Sequence, residues 1–344
     1  MSAKKPVSLF LLVFLVFLSL FSPAACLTEA AAPASQIRTG DILCFGTPDP
    51  VSAFDGKWLV LDPSHTSTGE DGIFLVSLNL VGSETGGSLL YKDIGDVSVS
   101  FSDRGEAYAA AHPGVLNYPG SDIQQWCLSF PERYLSDAEQ QALLPTYKSD
   151  PPIAITGFGI PLPGVSAGTV DFDGVDNILN GDTVFLLSTE EAVNPAYGLK
   201  DSRSRVATYK GTAEGWWLRS PHIPTFPLDV GFVYAFGSVM DFPVNARFVA
   251  NLNSYARPAC NLDASRITGM EKLAEVRGRT FWRVSFEGGE TNLTEYDTTL
   301  PEIGFMLDIQ AIVWLVLLAP VLILCALIFL IVWLVRRRKR RKAS

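Results

Sequence analysis

The sequence predicts an α+β domain held outside a membrane by one C-terminal helix. Three observations carry that expectation. Short β-type runs bounded by Gly, Asp and Pro recur through the middle of the chain, and helix start signals interrupt them without a strand–helix–strand rhythm. An uncharged apolar stretch followed by a basic run closes the chain. With 344 residues, 48% of them hydrophobic, the chain is long enough for a real core and is neither disordered nor collagenous in composition.

The ends set the address. Lys4 and Lys5 precede an apolar run over residues 7–21, and Ser22, Pro23, Ala24 and Ala25 follow it. That order describes a secretory signal peptide over residues 1–25. Cys26 opens a lipoprotein alternative, although Pro23 stands where that signal prefers an aliphatic residue, and an uncleaved N-terminal anchor is a further alternative. Residues 26–39 read as a spacer. At the other end, residues 311–335 carry no charge. As a helix they cover about 37 Å, against a hydrocarbon core of roughly 30 Å. The transmembrane helix is placed over 309–335, with Trp314 and Trp333 near the interfaces and the basic tail, 336–344, inside. Leu300-Pro301-Glu302-Ile303-Gly304 resembles a cell-wall sorting signal, but Ile303 replaces its threonine. Residues 291–308, polar and acidic at their start, read as a stalk.

Between these ends, 40–290 is the expected extracellular domain. Between the basic and apolar end segments the chain holds about 35 acidic against about 18 basic residues, which excludes a basic nucleic-acid face. Residues 57–62 and 72–77 read as buried strands. Residues 120–128 read as a helix with Ser121 or Asp122 at its N-cap. Residues 136–144 form a second helix, and Ser136 with Glu139 makes a capping box. A strand over 183–188 leads into a short helix beginning at Thr189. Residues 215–220, 230–236, 247–252 and 280–286 supply further strands.

This order of signals resembles a bacterial domain family of unknown function found in Gram-positive gut organisms. The residues that carry the likeness are the helix Gly120 to Leu128, the run Tyr134 to Glu139, the strand Asp182 to Ser188 with Glu191-Ala192 after it, Trp216-Trp217-Leu218-Arg219-Ser220-Pro221, and Arg257-Pro258-Ala259. The likeness covers about 40–262. More distantly, the Trp-x-Arg-Ser and later Arg pairing is similar to the formylglycine-generating-enzyme and C-type-lectin-like superfamily. That likeness implies a C-type-lectin-like, or sulfatase-modifying-factor-like, extracellular fold. Those enzymes hold copper on paired cysteines. Here the domain has Cys44, Cys127 and Cys260 with no close pair, so that oxidase chemistry is not expected.

Candidate sites follow from residue chemistry. Arg219 and Arg257 stand in apolar strands, where a guanidinium is either a tie to carboxylates and carbonyls or the base of an anion pocket. Of Trp216 and Trp217, strand alternation turns one inward and one outward. The binding residues expected on this basis are Trp217, Arg219, Tyr234, Asn251, Asn253, Tyr255 and Arg257, bracketing an aromatic and amide-rich stretch suited to glycan or protein recognition. Asp171, Asp173 and Asp176 around Gly174 are the candidate Ca²⁺ ligands, although their spacing is not that of an EF-hand. His65, His112 and His222 lack zinc spacing. No nucleophile elbow or phosphate loop is present. Glu190 and Glu191 are carboxylates for glycosidase work or, more simply, the first turn of a helix. The three domain cysteines make either one disulfide and one thiol or three buried thiols. The function expected is binding or adhesion at the cell surface without catalysis. An extracellular enzyme and a membrane-anchored scaffold or sensor, its tail on anionic lipid, are the alternatives.

Overall fold

A computed structural model describes residues 33–64, 72–90, 117–149, 177–221, 229–243 and 254–301. The expected signal peptide, the expected span at 309–335, the basic tail and the expected strand at 247–252 lie outside the described residues. Among the described residues no helix is long and apolar enough to cross a membrane.

The body is a mixed α+β arrangement dominated by strands. The larger sheet has eight: β1 (Ile42–Cys44), β2 (Lys57–Asp62), β3 (Gly72–Ser77), β4 (Leu143–Leu144), β7 (Val184–Leu186), β13 (Pro258–Asp263), β14 (Ile267–Val276) and β15 (Arg279–Phe286). Their order is β14-β15-β1-β2-β3-β13-β4, and β7 shares the outer edge of β13 with β4. All pairs are antiparallel except β1 with β15. β2 and β3 are buried along almost their whole length, as their unbroken apolar runs require of strands covered on both faces.

The second sheet takes β8 (Ala207–Tyr209), β9 (Thr212–Pro221), β10 (Asp229–Val233), β11 (Val239–Pro243) and β12 (Ser254–Tyr255), with β9 and β10 at its centre. β5 (Thr146–Lys148) and β6 (Leu179–Asp182) form a separate ribbon.

Helix α1 (Asp122–Tyr134) starts where Ser121 Oγ accepts from Gln124 N, at 3.2 Å. It runs past the predicted end at 128 because Pro131 is accommodated inside it. Ile123, Cys127, Phe130 and Tyr134 recur at helical spacing and face the core. Phe130 meets Phe54, Trp58, Trp126 and Tyr134 at centroid distances of 4.6–5.9 Å. Gln124 Nε2 donates to Asp182 Oδ2 at 2.8 Å and ties the helix to β6. Helix α2 (Asp137–Gln141) carries the predicted box: Glu139 Oε2 accepts from Ser136 N and Oγ. Its other oxygen accepts from Gly46 N at 2.8 Å, so one carboxylate fixes both a helix start and a loop 93 residues away in sequence.

Two expected connectors are docked. Within the expected spacer, Pro33–Gln36 make a 3-10 turn and Ile37 is buried. Residues 292–300, read as the start of a stalk, lie extended against the domain. Exposure alternates along them, with Asn292, Thr294, Tyr296, Thr298 and Leu300 the more covered set. Tyr296 Oη donates to Gly46 O at 3.1 Å, Arg283 Nη2 to Thr294 O at 3.0 Å, and Lys57 Nζ to Asp297 O at 3.0 Å.

Candidate functional site

The residues expected to bind are for the most part interior. Trp216 and Trp217 are both fully buried, contrary to the expected alternation, because β9 is covered on its two faces. Trp217 Nε1 donates to Leu89 O at 2.9 Å, and its ring meets Phe232 edge-on at 5.0 Å. Tyr255 stacks on Tyr209 at 4.0 Å. Tyr234 is half-buried and stacks on the exposed Phe236 at the β10–β11 turn. Asn251 and Asn253, like Asp171, Asp173 and Asp176, lie outside the described residues. Among the described residues no cluster of three His, Cys, Asp or Glu could hold a metal.

Arg219 is a structural tie. Helix α3 (Thr189–Ala192) is capped reciprocally: Ser188 Oγ accepts from Glu191 N, and Glu191 Oε2 accepts from Ser188 N at 2.8 Å. That box aims the Glu191 carboxylate at Arg219 Nη1, 2.5 Å away, and at Lys148 Nζ, 2.7 Å away. Arg219 also donates to Leu186 O at 2.8 Å, joining β9 to the end of β7. Burial alone pushes the Glu191 carboxyl up, but the two cations outweigh it and hold it down at about 2. A buried carboxylate so fully engaged stays ionised and has no proton to offer.

Arg257 is buried differently. Its Nε donates to Ser77 O at 2.9 Å and its guanidinium lies over Trp216, 5.2 Å from the ring centroid. Nη1 is buried without a partner among the described residues. Burial lowers its pKa to about 9. Cys44, Cys127 and Cys260 are all buried free thiols, the second of the two expected arrangements. Desolvation pushes Cys44 and Cys127 up to about 12, far from nucleophilic thiolates.

An open cleft of about 420 Å³ lies elsewhere, lined by Ser83, Glu84, Thr85, Gln125, Trp126, Ser129 and Arg133. One wall is the outward flank of α1, where Gln125, Ser129 and Arg133 recur every fourth residue and therefore share a face. The other is the tight loop 82–87. Ser83 N donates to Gly87 O, Gly86 N to Ser83 O, and Gly87 N to Ser83 Oγ, all at 2.8–2.9 Å. Gly82 is required there, since a Cβ would stand 2.7 Å from Gly87 O. Tyr209 Oη donates to Gly86 O at 2.7 Å, so the Tyr255–Tyr209 stack supports the loop from behind. Glu84 and Arg133 form an ion pair from loop to helix. Trp126 is 8% exposed, and its Nε1 is buried without an acceptor among the described residues.

The loop and α1 are some forty residues apart in sequence, which is why the spacing of motifs did not bring them together. The predicted helix, 120–128, held Gln125 and Trp126 of this lining but stopped short of Ser129 and Arg133.

The fold and the cleft define a mixed α+β domain with a surface recess between a helix and a tight loop. The chain belongs to the family described as Domain of unknown function (DUF6273), which matches residues 55–264. No curated protein and no solved structure matches it.

Proposed function

We propose that this chain is a recognition protein, displayed at the cell surface on a single-pass anchor, that binds its ligand in the cleft between α1 and the 82–87 loop. The observation that carries the reading is the cleft itself. Hydroxyl, amide and indole groups converge there on a rigid loop and a rigid helix, with the two charges paired. The buried groups that chemistry would recruit are engaged elsewhere: Glu191 by two cations, and Cys44 and Cys127 by burial. The signal peptide at 1–25, the span at 309–335 and the basic tail support an outward-facing domain. The likeness to C-type-lectin-like domains and to Gram-positive proteins supports a lectin-like use of the fold.

The test has two parts. Protease added to intact cells removes the domain and spares an epitope at 336–344 if the orientation is right; a protected domain refutes surface display. The full-length chain, purified in a detergent without a sugar headgroup, is screened on glycan and surface-protein arrays, with Ca²⁺ and with chelator. Retained ligand that is lost in Thr85→Trp, which fills the cleft, supports the site. Ligand binding unaffected by Thr85→Trp moves the site elsewhere. Loss in chelator assigns a role to Asp171, Asp173 and Asp176.

A further inference from the structure

We infer that residues 292–300 act as a latch on the cleft: docked, they hold both of its walls in place, and undocked they loosen both. The consequence for recognition rests on the cleft being the ligand site; the coupling itself does not.

The connection between β1 and β2, residues 45–56, carries the inference, because it touches the docked segment on one side and both cleft walls on the other. Toward the segment, Tyr296 Oη donates to Gly46 O at 3.1 Å and accepts from Asn292 Nδ2 at 3.0 Å. The Tyr296 ring covers Gly56 so closely that a Cβ there would stand 2.7 Å from it. Toward α1, Thr47 N donates at 2.7 Å to the carbonyl of Tyr134, one residue beyond Arg133 of the lining. The Phe54 ring meets Phe130 at 5.1 Å and Tyr134 at 5.0 Å. Toward the tight loop, Gly82 N donates to Ser52 O at 2.8 Å. Tyr209 Oη lies 2.7 Å from Gly86 O and 3.3 Å from Val51 O, so it joins the loop to the connection a second time.

The connection is braced well enough to pass on a displacement. Asp49 accepts from Val51 N at 3.0 Å and from Ser52 N at 3.1 Å, and its own N donates to Phe54 O at 2.7 Å. Phe45 N donates to Gly56 O at 2.9 Å and closes the base. Coupling of this kind needs an element with two discrete arrangements. Residues 292–300 are that element: among the described residues they pair with no strand, and side-chain bonds hold them, so they can leave without breaking a ladder. Glu139 Oε1 keeps its bond to Gly46 N in either state, so the latch tunes the cleft and does not assemble it. By reciprocity, whatever orders the cleft favours docking of the segment by the same factor.

The experiment is hydrogen exchange, read by mass spectrometry, on the full-length chain in detergent. The variant Asn292→Ala with Tyr296→Ala undocks the segment. Exchange is expected to rise about tenfold in 45–54, 82–87 and 129–135, the scale set by one lost hydrogen bond, while 207–221 stays unchanged. Thermal melts establish that the variant is folded. Tyr296→Phe, which keeps the ring, is expected to give the same pattern at smaller amplitude and serves if the double variant does not fold. In the reverse direction, Gly82→Ala distorts the tight loop and is expected to speed proteolysis between 292 and 300. Two results overturn the inference: a rise confined to 292–300 and its immediate contacts at 45–47, or a uniform rise that includes 207–221. No ligand enters the measurement, so failure of the latch and failure of the cleft as a ligand site are separate results.

Discussion

Glu191 and Arg219 meet at 2.5 Å where the two sheets join, and the carboxylate is aimed by its own helix cap. The tie therefore links three things at once: a helix start, the end of β7 and the C-terminal part of β9. Removing one partner strands the other. Arg219→Ala is expected to cost about 3–5 kcal/mol, read by chemical denaturation. Glu191→Leu with Arg219→Met should recover part of that loss, since the apolar pair leaves no buried charge unopposed. A double variant no better than the single one counts against the tie.

The same carboxylate makes stability fall in acid. Its folded value, about 2, lies below the ordinary 4.5, so its contribution is complete above pH 4.5 and is lost as pH drops toward 2. The shift corresponds to about 3 kcal/mol. Stability measured from pH 6 to pH 2 should fall more steeply in the native chain than in Glu191→Gln. Parallel curves would assign the acid sensitivity to other groups.

Arg257 should behave unlike Arg219. It has one backbone acceptor and an indole face but an unpartnered Nη1. Arg257→Met keeps the length over Trp216 and removes the desolvated charge, so the expected change is within about 1.5 kcal/mol in either direction. A loss as large as that of Arg219→Ala would show that the Ser77 and Trp216 contacts hold far more than their geometry implies.

Residues 292–300 should melt with the domain. Tyr296→Phe removes the Oη bond to Gly46 O and the acceptor for Asn292 Nδ2, at about 1–2 kcal/mol. Gly56→Ala is expected to be worse, because a Cβ there meets the Tyr296 ring at 2.7 Å with φ at +68°. Faster limited proteolysis between 292 and 300 in either variant checks the docking.

Cys44 and Cys127, with thiols raised to about 12, should resist alkylation at pH 8 until denaturant is added. Mass spectrometry of iodoacetamide-treated protein reads this directly. Rapid labelling without denaturant would mean that the region around α1 opens readily.

What was legible in the chain was local. Ser121, the Ser136–Glu139 box, the helix at Thr189 and the buried runs at 57–62 and 72–77 are encoded within a few residues, and the structure has each of them. Trp216 and Trp217 defeated the alternation rule because a strand covered on both faces has no outer side. The docked segment escaped notice for a different reason. Its covered residues, Asn292, Thr294 and Tyr296, are polar and bond backbone carbonyls or each other, so no hydrophobic period marks them. The cleft was hidden because its walls are distant in sequence. Arg257 was rightly singled out as costly to bury, but sequence alone held no sign that one of its nitrogens would be left without an acceptor.

The docked segment also decides how the domain carries load. Tension entering at residue 301 does not reach the end of β15 directly. It meets Leu300 packed on the core, then the Lys57 bond to Asp297 O, the Tyr296 bond to Gly46 O and the Arg283 bond to Thr294 O. Because the segment lies along the body, a pull along its length loads these attachments together, in shear, and spreads the force over β2, β15 and the loop after β1. A pull directed away from the surface unzips them one at a time. The chain therefore grips hard in one direction and lets go easily in the other.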